Sequence, residues 1–470
     1  MYRMVLLALV CAPSVVPATS DWLYSRSDHF ELYTDTDQRL AKSTLETFEQ
    51  LRDFFLSSRK LAIERVPATV IVFRRNADYR ECAPPLTAAF YAPGKSRDFI
   101  VMSSAVAGNA EVAAHELTHL LWQRSAGGRD LPLWLSEGMA EVYSTVRPVL
   151  SRVRIGATPE RSRDALSGRW LPLRYLLTTE ALATDPATRH PDAGALYYAQ
   201  SWLFTHMLMF HPDYRPQFDR VVSEISQGGD SATVITGVYG KPLAVIEKDL
   251  YAYGAAPTRK KFAEFDTPLR SLPVEDAVPT EGSAVDVVLA LLNARGRPKQ
   301  TEKTLLAKAE QNEGSLTYWA GLCEFYWLSG DLNSAGACAR KAIGFAKTSP
   351  NTLWLFARLS RARGEPTLRT VELLNGLLAQ DPQHIDGRLM LAHLLIESGE
   401  AGRAMHVLDA ISGVAASVRG RYHAIKACAH ALLSEPGKAE AEIAEAQQHP
   451  RTPSDEEMLT RARETLQPTR

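Results

Sequence analysis

The sequence of residues 109–144 is NAEVAAHELTHLLWQRSAGGRDLPLWLSEGMAEVYS, and it decides how the first half of the chain folds. His115 and His119 are four residues apart, so on a helix they lie one turn apart on the same face and can bind one ion. Glu116 is the next residue around the helix, within reach of a water on that ion. The flanking residues are mostly apolar, which predicts a buried helix, and buried imidazoles and carboxylates without partners are costly. A metal ion accounts for their presence.

A further acidic ligand is needed, because a catalytic zinc site has three protein ligands and one open position. Seventeen residues separate His119 from Glu137, and residues 126–130 among them have the composition of a turn between helices. An apolar helix over residues 133–143 then folds Glu137 back onto the two imidazoles. Glu141 follows one turn later, where it can accept a hydrogen bond from a ligand imidazole. Glu141 is also the alternative third ligand.

The HExxH run at 115–119, followed by LWLSEGMA at 133–140, resembles the gluzincin metallopeptidases. In that family a W-L-x-E-G-x-A helix carries a glutamate as the third ligand. The resemblance implies a Zn²⁺ ion bound by His115, His119 and Glu137, with Glu116 as the general base. It also implies a zincin-like α+β catalytic domain, in which a small mixed sheet lies beside the metal helix. The alternative is a degenerate or purely structural helix pair.

Residues 21–105 are predicted to form the sheet-containing half of a domain that spans 21–255. Apolar or alternating runs predict strands at 29–33, 68–73, 87–91 and 99–102, and an amphipathic helix is predicted at 37–57. In zincins the edge strand of the sheet pairs with an extended peptide substrate. The resemblance therefore implies that one of the last two strands is that edge.

Residues 106–255 are predicted to form the helical half, which carries the metal site. An apolar helix over residues 196–208 has an unusual number of polar side chains. Gluzincins commonly position a Tyr or His from this part of the chain near the zinc, where it stabilises the oxyanion. We assign that role to Tyr198, with Tyr197 and His206 as alternatives. Aromatic packing in the core, with the hydroxyl satisfied, is the other explanation for Tyr198.

Residues 1–20 have the features of a secretory signal peptide, with Arg3, an apolar run and small residues at the end. The protein is therefore predicted to be secreted or periplasmic, and the signal is either cleaved or kept as an anchor. The formal net charge of −1 gives no strong field for nucleic acid or anionic membrane, which favours a polypeptide partner. No later stretch is long and apolar enough for a membrane span. Cys323 and Cys338 either form a disulfide or are small buried residues.

Residues 256–281 are rich in proline and charge, which predicts a linker or a packed extended segment. Beyond them, Gly296, Gly330, Gly364 and Gly399 are 34, 34 and 35 residues apart. This period matches the tetratricopeptide repeat, so residues 282–466 are predicted to form an all-α solenoid of about five helical hairpins, the last around Gly437. Its concave face either holds a partner protein or peptide, or the solenoid only braces the enzyme domain.

Motifs along nearly the whole chain, including those at 27–30, 198–202 and 238–240, resemble secreted bacterial proteins with a peptidase-MA-like domain and tetratricopeptide repeats. The resemblance implies a secreted zinc metallopeptidase that hydrolyses peptide bonds. An alanyl aminopeptidase has a G-A-M-E-N stretch upstream of the metal motif, whereas residues 99–104 here are FIVMSS, so an endopeptidase or oligopeptidase is favoured. The alternative function is a tetratricopeptide binding protein whose peptidase-like domain is inactive.

Overall fold

The computed structural model describes residues 22–467 of the 470-residue chain, with internal gaps. The gaps are residues 60, 62, 64–67, 85–86, 95–96, 108–109, 126–130, 150–151, 160–161, 168–169, 180–192, 256–262, 266–272, 295, 313–314, 344–348, 412–413, 415 and 450. The predicted signal peptide at 1–20 and the predicted turn at 126–130 lie outside the described residues.

A mixed sheet forms the base of the N-terminal part. In the described residues its strands are β1 (Leu23–Arg26), β2 (Phe30–Thr34), β3 (Ala68–Phe73), β4 (Ala89–Ala92), β5 (Asp98–Ser103) and β9 (Val278–Pro279). Their order is β4-β5-β3-β2-β1-β9. Strands β2, β3 and β5 are parallel, and β4 runs antiparallel to β5 at the edge. The four predicted strands are confirmed, while β1 and β9 were not predicted.

Helices follow and surround the sheet. The first are α1 (Gln38–Arg59), α2 (Asn76–Cys82), α3 (Ser104–Ala107), α4 (Ala110–Ser125) and α5 (Leu133–Ser144). The later ones are α6 (Ser162–Ala165), α7 (Leu173–Thr178), α8 (Ala193–Phe210), α9 (Phe218–Ser226), α10 (Ser231–Tyr239) and α11 (Leu243–Ala255). The predicted helical half, residues 106–255, is mainly helical but also contains strands β6 (Arg147–Val149) and β7 (Arg152–Ile155), which form a second small sheet with β8 (Ala263–Phe265).

Both faces of the central strands β3 and β5 are buried, and alternation along these strands divides the core in two. Val70 and Val72 of β3 pack with α1, α4 and α5, whereas Ile71 and Phe73 join a separate apolar cluster that continues into the C-terminal helices. Neighbouring side chains on a strand point to opposite faces, which explains the division. A parallel sheet is stable only when both faces are covered. Here the N-terminal helices cover one face, and the C-terminal half of the chain covers the other.

The C-terminal half is a stack of helical hairpins. Its helices are α12 (Gly282–Asn293), α13 (Pro298–Gln311), α14 (Leu316–Leu328), α15 (Leu332–Ile343), α16 (Pro350–Ala362), α17 (Thr367–Gln380), α18 (Ile385–Glu397), α19 (Ala401–Asp409), α20 (Ala416–Leu432), α21 (Pro436–Gln447) and α22 (Pro453–Leu466). Within the described residues they form five sequential pairs followed by α22. Cys323 and Cys338 on α14 and α15 are both buried and free, so no disulfide joins them here.

Residues with a left-handed backbone conformation follow the first helix of successive hairpins. Gly330, Gly364 and Gly399 have φ of 83°, 64° and 78°, a conformation that favours glycine because it has no Cβ. In the last pair the corresponding residue is Ser434 with φ of 62°, 35 residues after Gly399. Gly437, around which the last unit was predicted, lies three residues later in the first turn of α21.

Ser434→Gly is expected to stabilise the last hairpin. A left-handed conformation costs an L-residue roughly 1–2 kcal/mol, and the greater freedom of glycine in the unfolded chain offsets part of that, which leaves a gain of about 1 kcal/mol. Ser434 is exposed, so little packing is lost. Urea unfolding of the variant and of Ser434→Ala measures the effect. If the glycine and alanine variants were equally stable, the left-handed backbone at residue 434 would not be the cause of the stabilisation.

The solenoid is attached to the sheet by polar contacts as well as by the shared apolar cluster. The Arg97 guanidinium, just before β5, is 2.8 Å from a Glu324 carboxylate oxygen on α14 and also contacts Glu31 on β2. On α16, Asn351 donates to the Tyr24 hydroxyl at 3.1 Å. These contacts come from the first helices of hairpins, so that face of the solenoid braces the sheet.

The segment 256–281, predicted as a linker or a packed extended segment, is extended and packed where it is described. Strand β8 pairs with β7, and β9 pairs with β1. Between them, the Ser25 hydroxyl donates to the Glu275 carbonyl at 2.6 Å. These pairings bring the start of the solenoid against the sheet, so the segment does not act as a free tether over these residues.

Candidate metal centre

Ion pairs hold both ends of α4. In the last turn, Arg124 donates to both carboxylate oxygens of Asp98, at 2.7 and 2.6 Å, and Asp98 is fully buried at the start of β5. In the first turn, Glu111 accepts from Arg147 of β6 at 2.6 Å. Between these ends, Leu117 and Leu121 are buried in the core. The helix that carries His115 and His119 is therefore fixed both in position and in rotation.

Helix α5 packs between α4 and α8 at very short range. Gly138 makes this possible, because a Cβ at this position would lie 2.5 Å from the Ser201 carbonyl oxygen and 2.1 Å from the Thr205 hydroxyl, both on α8. Trp134, one turn earlier, is fully buried and donates its indole N–H to the Ser231 hydroxyl at 3.0 Å. The neighbour of Gly138 in the sequence, Glu137, is thereby held toward α4.

Three ligand atoms converge between α4 and α5. The Nε2 atoms of His115 and His119 are 3.2 Å apart, and Glu137 Oε2 is 3.4 Å from the first and 3.6 Å from the second. Side-chain exposure is 12% for His115, 17% for His119 and 13% for Glu137, so solvent still reaches the cluster. The structure thus brings together the three residues that the sequence predicted as ligands.

The other nitrogen of each imidazole faces an oxygen. His119 Nδ1 is 3.1 Å from the Ser136 hydroxyl, and His115 Nδ1 is 3.5 Å from an Oε1 atom of the fully buried Glu141. When each Nδ1 carries the proton, both Nε2 lone pairs point at the same space, the tautomer that metal binding requires. Glu141 contacts the Nδ1 side of His115, as predicted for an outer partner, and Glu137 lies on the Nε2 side. Ser136 was not predicted, although it adjoins Glu137.

The residues present fit a divalent cation. Glu137 Oε2 is buried and has no partner within normal hydrogen-bond distance among the described residues. A buried carboxylate oxygen without a partner is costly, and a cation between it and the two Nε2 atoms would remove that cost. Burial acts to lower the pKa of His119, but the charges of Glu137, Glu116 and Glu141 outweigh it and raise that pKa to about 9. The cluster therefore stabilises positive charge, and two imidazoles with one carboxylate are one of the donor sets found in catalytic zinc sites.

Glu116 is half-buried on α4, and its negative charge acts on two neighbours. It contributes to the raised pKa of His119, and it adds to the effect of burial in raising the pKa of Tyr79 on α2 to about 12. The Tyr79 hydroxyl is 2.9 Å from that of Thr87, which precedes the edge strand β4. Glu116 therefore lies within electrostatic range of both the ligand cluster and the side of the domain that contains β4.

The aromatic candidates on α8 differ in how their polar atoms are used. Tyr197 is fully buried and donates its hydroxyl to the Leu176 carbonyl at 3.2 Å, so this group has a structural partner. His206 is also buried, with Nδ1 2.6 Å from the Tyr253 hydroxyl. Tyr198 is half-buried, with its ring perpendicular to that of Tyr197 at 6.4 Å. Of the three residues, Tyr198 retains the greatest access to solvent, and its catalytic role stays a prediction.

Comparison with known proteins identifies the repeats. A family model described as tetratricopeptide repeat matches residues 368–429, which include nearly all of α17, the whole of α18 and α19, and most of α20. Among solved structures, YrrB, described as a TPR protein with an unusual peptide-binding site, is 13% identical and has a TM-score of 0.33, with 38% of this chain and 90% of that chain covered. MamA is 12% identical with a TM-score of 0.31, covering 35% of this chain and 91% of that one.

A tetratricopeptide repeat protein from Parabacteroides merdae is 12% identical, with a TM-score of 0.26 and coverage of 65% of this chain and 100% of that one. No curated protein matches the chain. The matching family model covers residues 368–429, which do not include the metal cluster, so the chemistry of that cluster rests on its own geometry. Over the described residues, no helix has both the length and the apolar character that a membrane span requires.

Proposed function

We propose that the N-terminal part of this protein is a zinc-dependent metallopeptidase. The observation that carries the proposal is the convergence of Glu137 Oε2 with the Nε2 atoms of His115 and His119, at 3.4 and 3.6 Å. The buried oxygen and the two outward-held Nδ1 atoms support a permanent cation rather than a chance cluster. The alternative, an inactive peptidase-like domain in a repeat protein, accounts less well for an intact set of ligands and base.

The proposed chemistry is hydrolysis of a peptide bond by water. When bound, zinc supplies a Lewis acid that polarises the scissile carbonyl and makes water acidic enough to react near neutral pH. Glu116, beside the ligands, takes a proton from the attacking water and delivers it to the leaving amine. Tyr198 donates a hydrogen bond to the oxyanion. Glu141 and Ser136 hold the imidazoles in the tautomer that leaves Nε2 unprotonated.

The proposed substrate is an extended polypeptide. Strand β4 is the edge of the sheet and pairs only with β5 among the described strands, so its other side can accept a peptide in the strand-addition mode. Helix α4 packs beside β4, which supports cleavage of a chain aligned there. The absence of a G-A-M-E-N stretch at 99–104 favours internal cleavage over removal of the N-terminal residue. The features of residues 1–20 support secretion or a periplasmic location.

A second polypeptide-binding surface is proposed where the sheet and the solenoid meet. A cavity of about 490 Å³ lies between them, and six carboxylates and two arginines are among its lining residues. Trp354 on α16 and His384 before α18 contribute aromatic surface, with rings 5.0 Å apart. The excess of carboxylates favours a basic peptide or a basic segment of a protein partner.

Glu137→Gln tests the metal centre. The variant is expected to lose one equivalent of zinc, because an amide binds zinc much more weakly than a carboxylate does. The loss of affinity should exceed the roughly 10–100-fold caused by removing an outer hydrogen-bond partner. Metal content of the purified protein, measured beside Glu141→Gln, checks this. Equal zinc in wild type and Glu137→Gln would move the third ligand to Glu141 or end the zinc assignment.

A further inference from the structure

A second group of potential metal ligands lies at the far end of the solenoid, apart from the candidate metal centre. One atom each from His423 on α20, Glu445 on α21 and His449 just after α21 lie within 4.8 Å of one another. The two imidazole rings are nearly parallel, with an angle of 16° and centroids 6.0 Å apart. Glu445 follows His423 by 22 positions, and His449 follows Glu445 by four. The packing of α21 on α20 brings His423 to the other two residues.

An outer carboxylate orients the first imidazole. His423 Nδ1 is 2.5 Å from Glu442 Oε2, and the other oxygen of Glu442 is 2.7 Å from the Lys426 ammonium. A carboxylate that accepts the Nδ1 proton leaves Nε2 unprotonated, which is how metal-binding histidines are usually held. Glu442 is itself anchored by Lys426, so this arrangement does not depend on a metal being present.

The second imidazole and the carboxylate lie one helical turn apart. His449 Nε2 is 3.2 Å from Glu445 Oε1, at the i,i+4 spacing that puts two side chains on the same face. The side chains of His423 and His449 are 17% and 18% exposed, and that of Glu445 is 44% exposed. The imidazoles are therefore ordered by packing while the open side of the group remains accessible to an ion.

The nearby cations are already neutralised by other groups. Lys426 pairs with Glu442, and Arg451 pairs with Glu456 at 2.6 Å and donates to the Ala446 and His449 carbonyls. Glu445 is therefore the carboxylate in the cluster whose charge is left for an added ion. Two imidazoles and one carboxylate match Zn²⁺, Ni²⁺ and Cu²⁺, whereas Ca²⁺ and Mg²⁺ prefer all-oxygen sites.

We propose that His423, Glu445 and His449 form a second divalent metal site, selective for Zn²⁺ and related nitrogen-binding ions. A bound ion would connect α20 to the residue that follows α21 and so cross-link the last hairpin. The role is structural or regulatory, because the group lies in the repeat region rather than beside Glu116. The site is independent of the proposed peptidase activity.

A zinc titration of the full-length protein tests this site separately from the first. In a His115→Ala/His119→Ala background, ZnCl₂ in competition with a chromogenic chelator is expected to show one remaining equivalent. Adding His449→Ala should weaken that binding by at least about tenfold. The matched control is His393→Ala, since His393 also pairs with a glutamate one turn away, Glu397, at 3.0 Å, but has no second imidazole beside it in the described part of the chain.

The number of zinc ions bound is also measured in chains that keep His115 and His119, so that misfolding of the double variant cannot account for the result. The wild type is expected to bind two equivalents of zinc, His449→Ala one, and His393→Ala two. A His115→Ala/His119→Ala chain that binds no zinc, or a His449→Ala variant that binds as much zinc as His393→Ala, would overturn the proposal. His449 lies beyond the end of α21 and is not part of the buried apolar cluster, so its truncation leaves the core of the hairpin intact.

Discussion

Replacement of Glu116 by Gln is expected to leave zinc binding unchanged and to lower kcat/KM for peptide hydrolysis by about 10²–10⁴, the usual contribution of a general acid–base group. The amide has nearly the shape of the carboxylate but cannot take a proton from water. Glu116 is half-buried and is not one of the three converging ligands, so the fold and the metal should tolerate the change. Cleavage of unfolded casein, together with zinc content, measures both quantities.

Glu224→Gln is the matched control for this experiment. Glu224 lies on α9, is half-buried like Glu116, and pairs with Arg220 at 2.7 Å, so it undergoes the same chemical change outside the site. Its variant should retain wild-type activity. Full activity of zinc-loaded Glu116→Gln would contradict the mechanism, whereas casein left intact by the zinc-loaded wild type would favour the inactive-domain alternative.

Replacement of Gly138 by Ala is expected to destabilise the N-terminal part and the candidate metal centre together. The added Cβ would meet the Ser201 carbonyl at 2.5 Å, and a backbone atom cannot rotate away as a flexible side chain can. Overpacking of this kind costs about 1–3 kcal/mol. Helix α5 would have to move away from α8 and take Glu137 with it. We therefore expect a lower free energy of unfolding and weaker zinc binding together, measured by urea unfolding and zinc titration.

The same substitution at Gly237 is expected to have the opposite effect on stability. Gly237 is in α10, and nothing lies within 4 Å of a Cβ built there. Alanine is the better helix former by about 0.8–1.0 kcal/mol, so this variant should be more stable than the wild type. If Gly138→Ala matched Gly237→Ala in stability and zinc affinity, the short approach of α5 to α8 would not be what holds Glu137.

The geometry of the ligand cluster could be predicted from sequence because it depends on residues that are close together in the chain. The spacing of His115 and His119 follows from the helical period, and Glu137 belongs to a second apolar helix that a short connection returns to the first. The repeat period was accessible for a similar reason, since glycines at left-handed positions recur in three successive hairpins. The peptidase activity and the role of Tyr198 remain predictions, because motif spacing does not measure turnover.

Long-range pairing explains most of what the sequence did not reveal. Strand β9 has only two residues, and neither their composition nor their length distinguishes them from an extended linker. The attachment of the solenoid to the sheet depends on Arg97 and Glu324, which are 227 residues apart. The second ligand group was missed in the same way, because His423 joins Glu445 and His449 only after α21 folds back on α20.

The burial of the second sheet face beneath the solenoid limits how this architecture can change during evolution. Repeat arrays usually gain and lose units freely, since each unit contacts only its neighbours. Here the hairpins that contain Glu324 and Asn351 also contact strands of the N-terminal sheet, and their apolar side chains share one cluster with Ile71 and Phe73. Deletion or duplication of one of these units would shift every later helix by one repeat relative to the sheet. The number of repeats that contain Glu324 and Asn351 is therefore expected to stay fixed, and these repeats evolve together with the strands they cover.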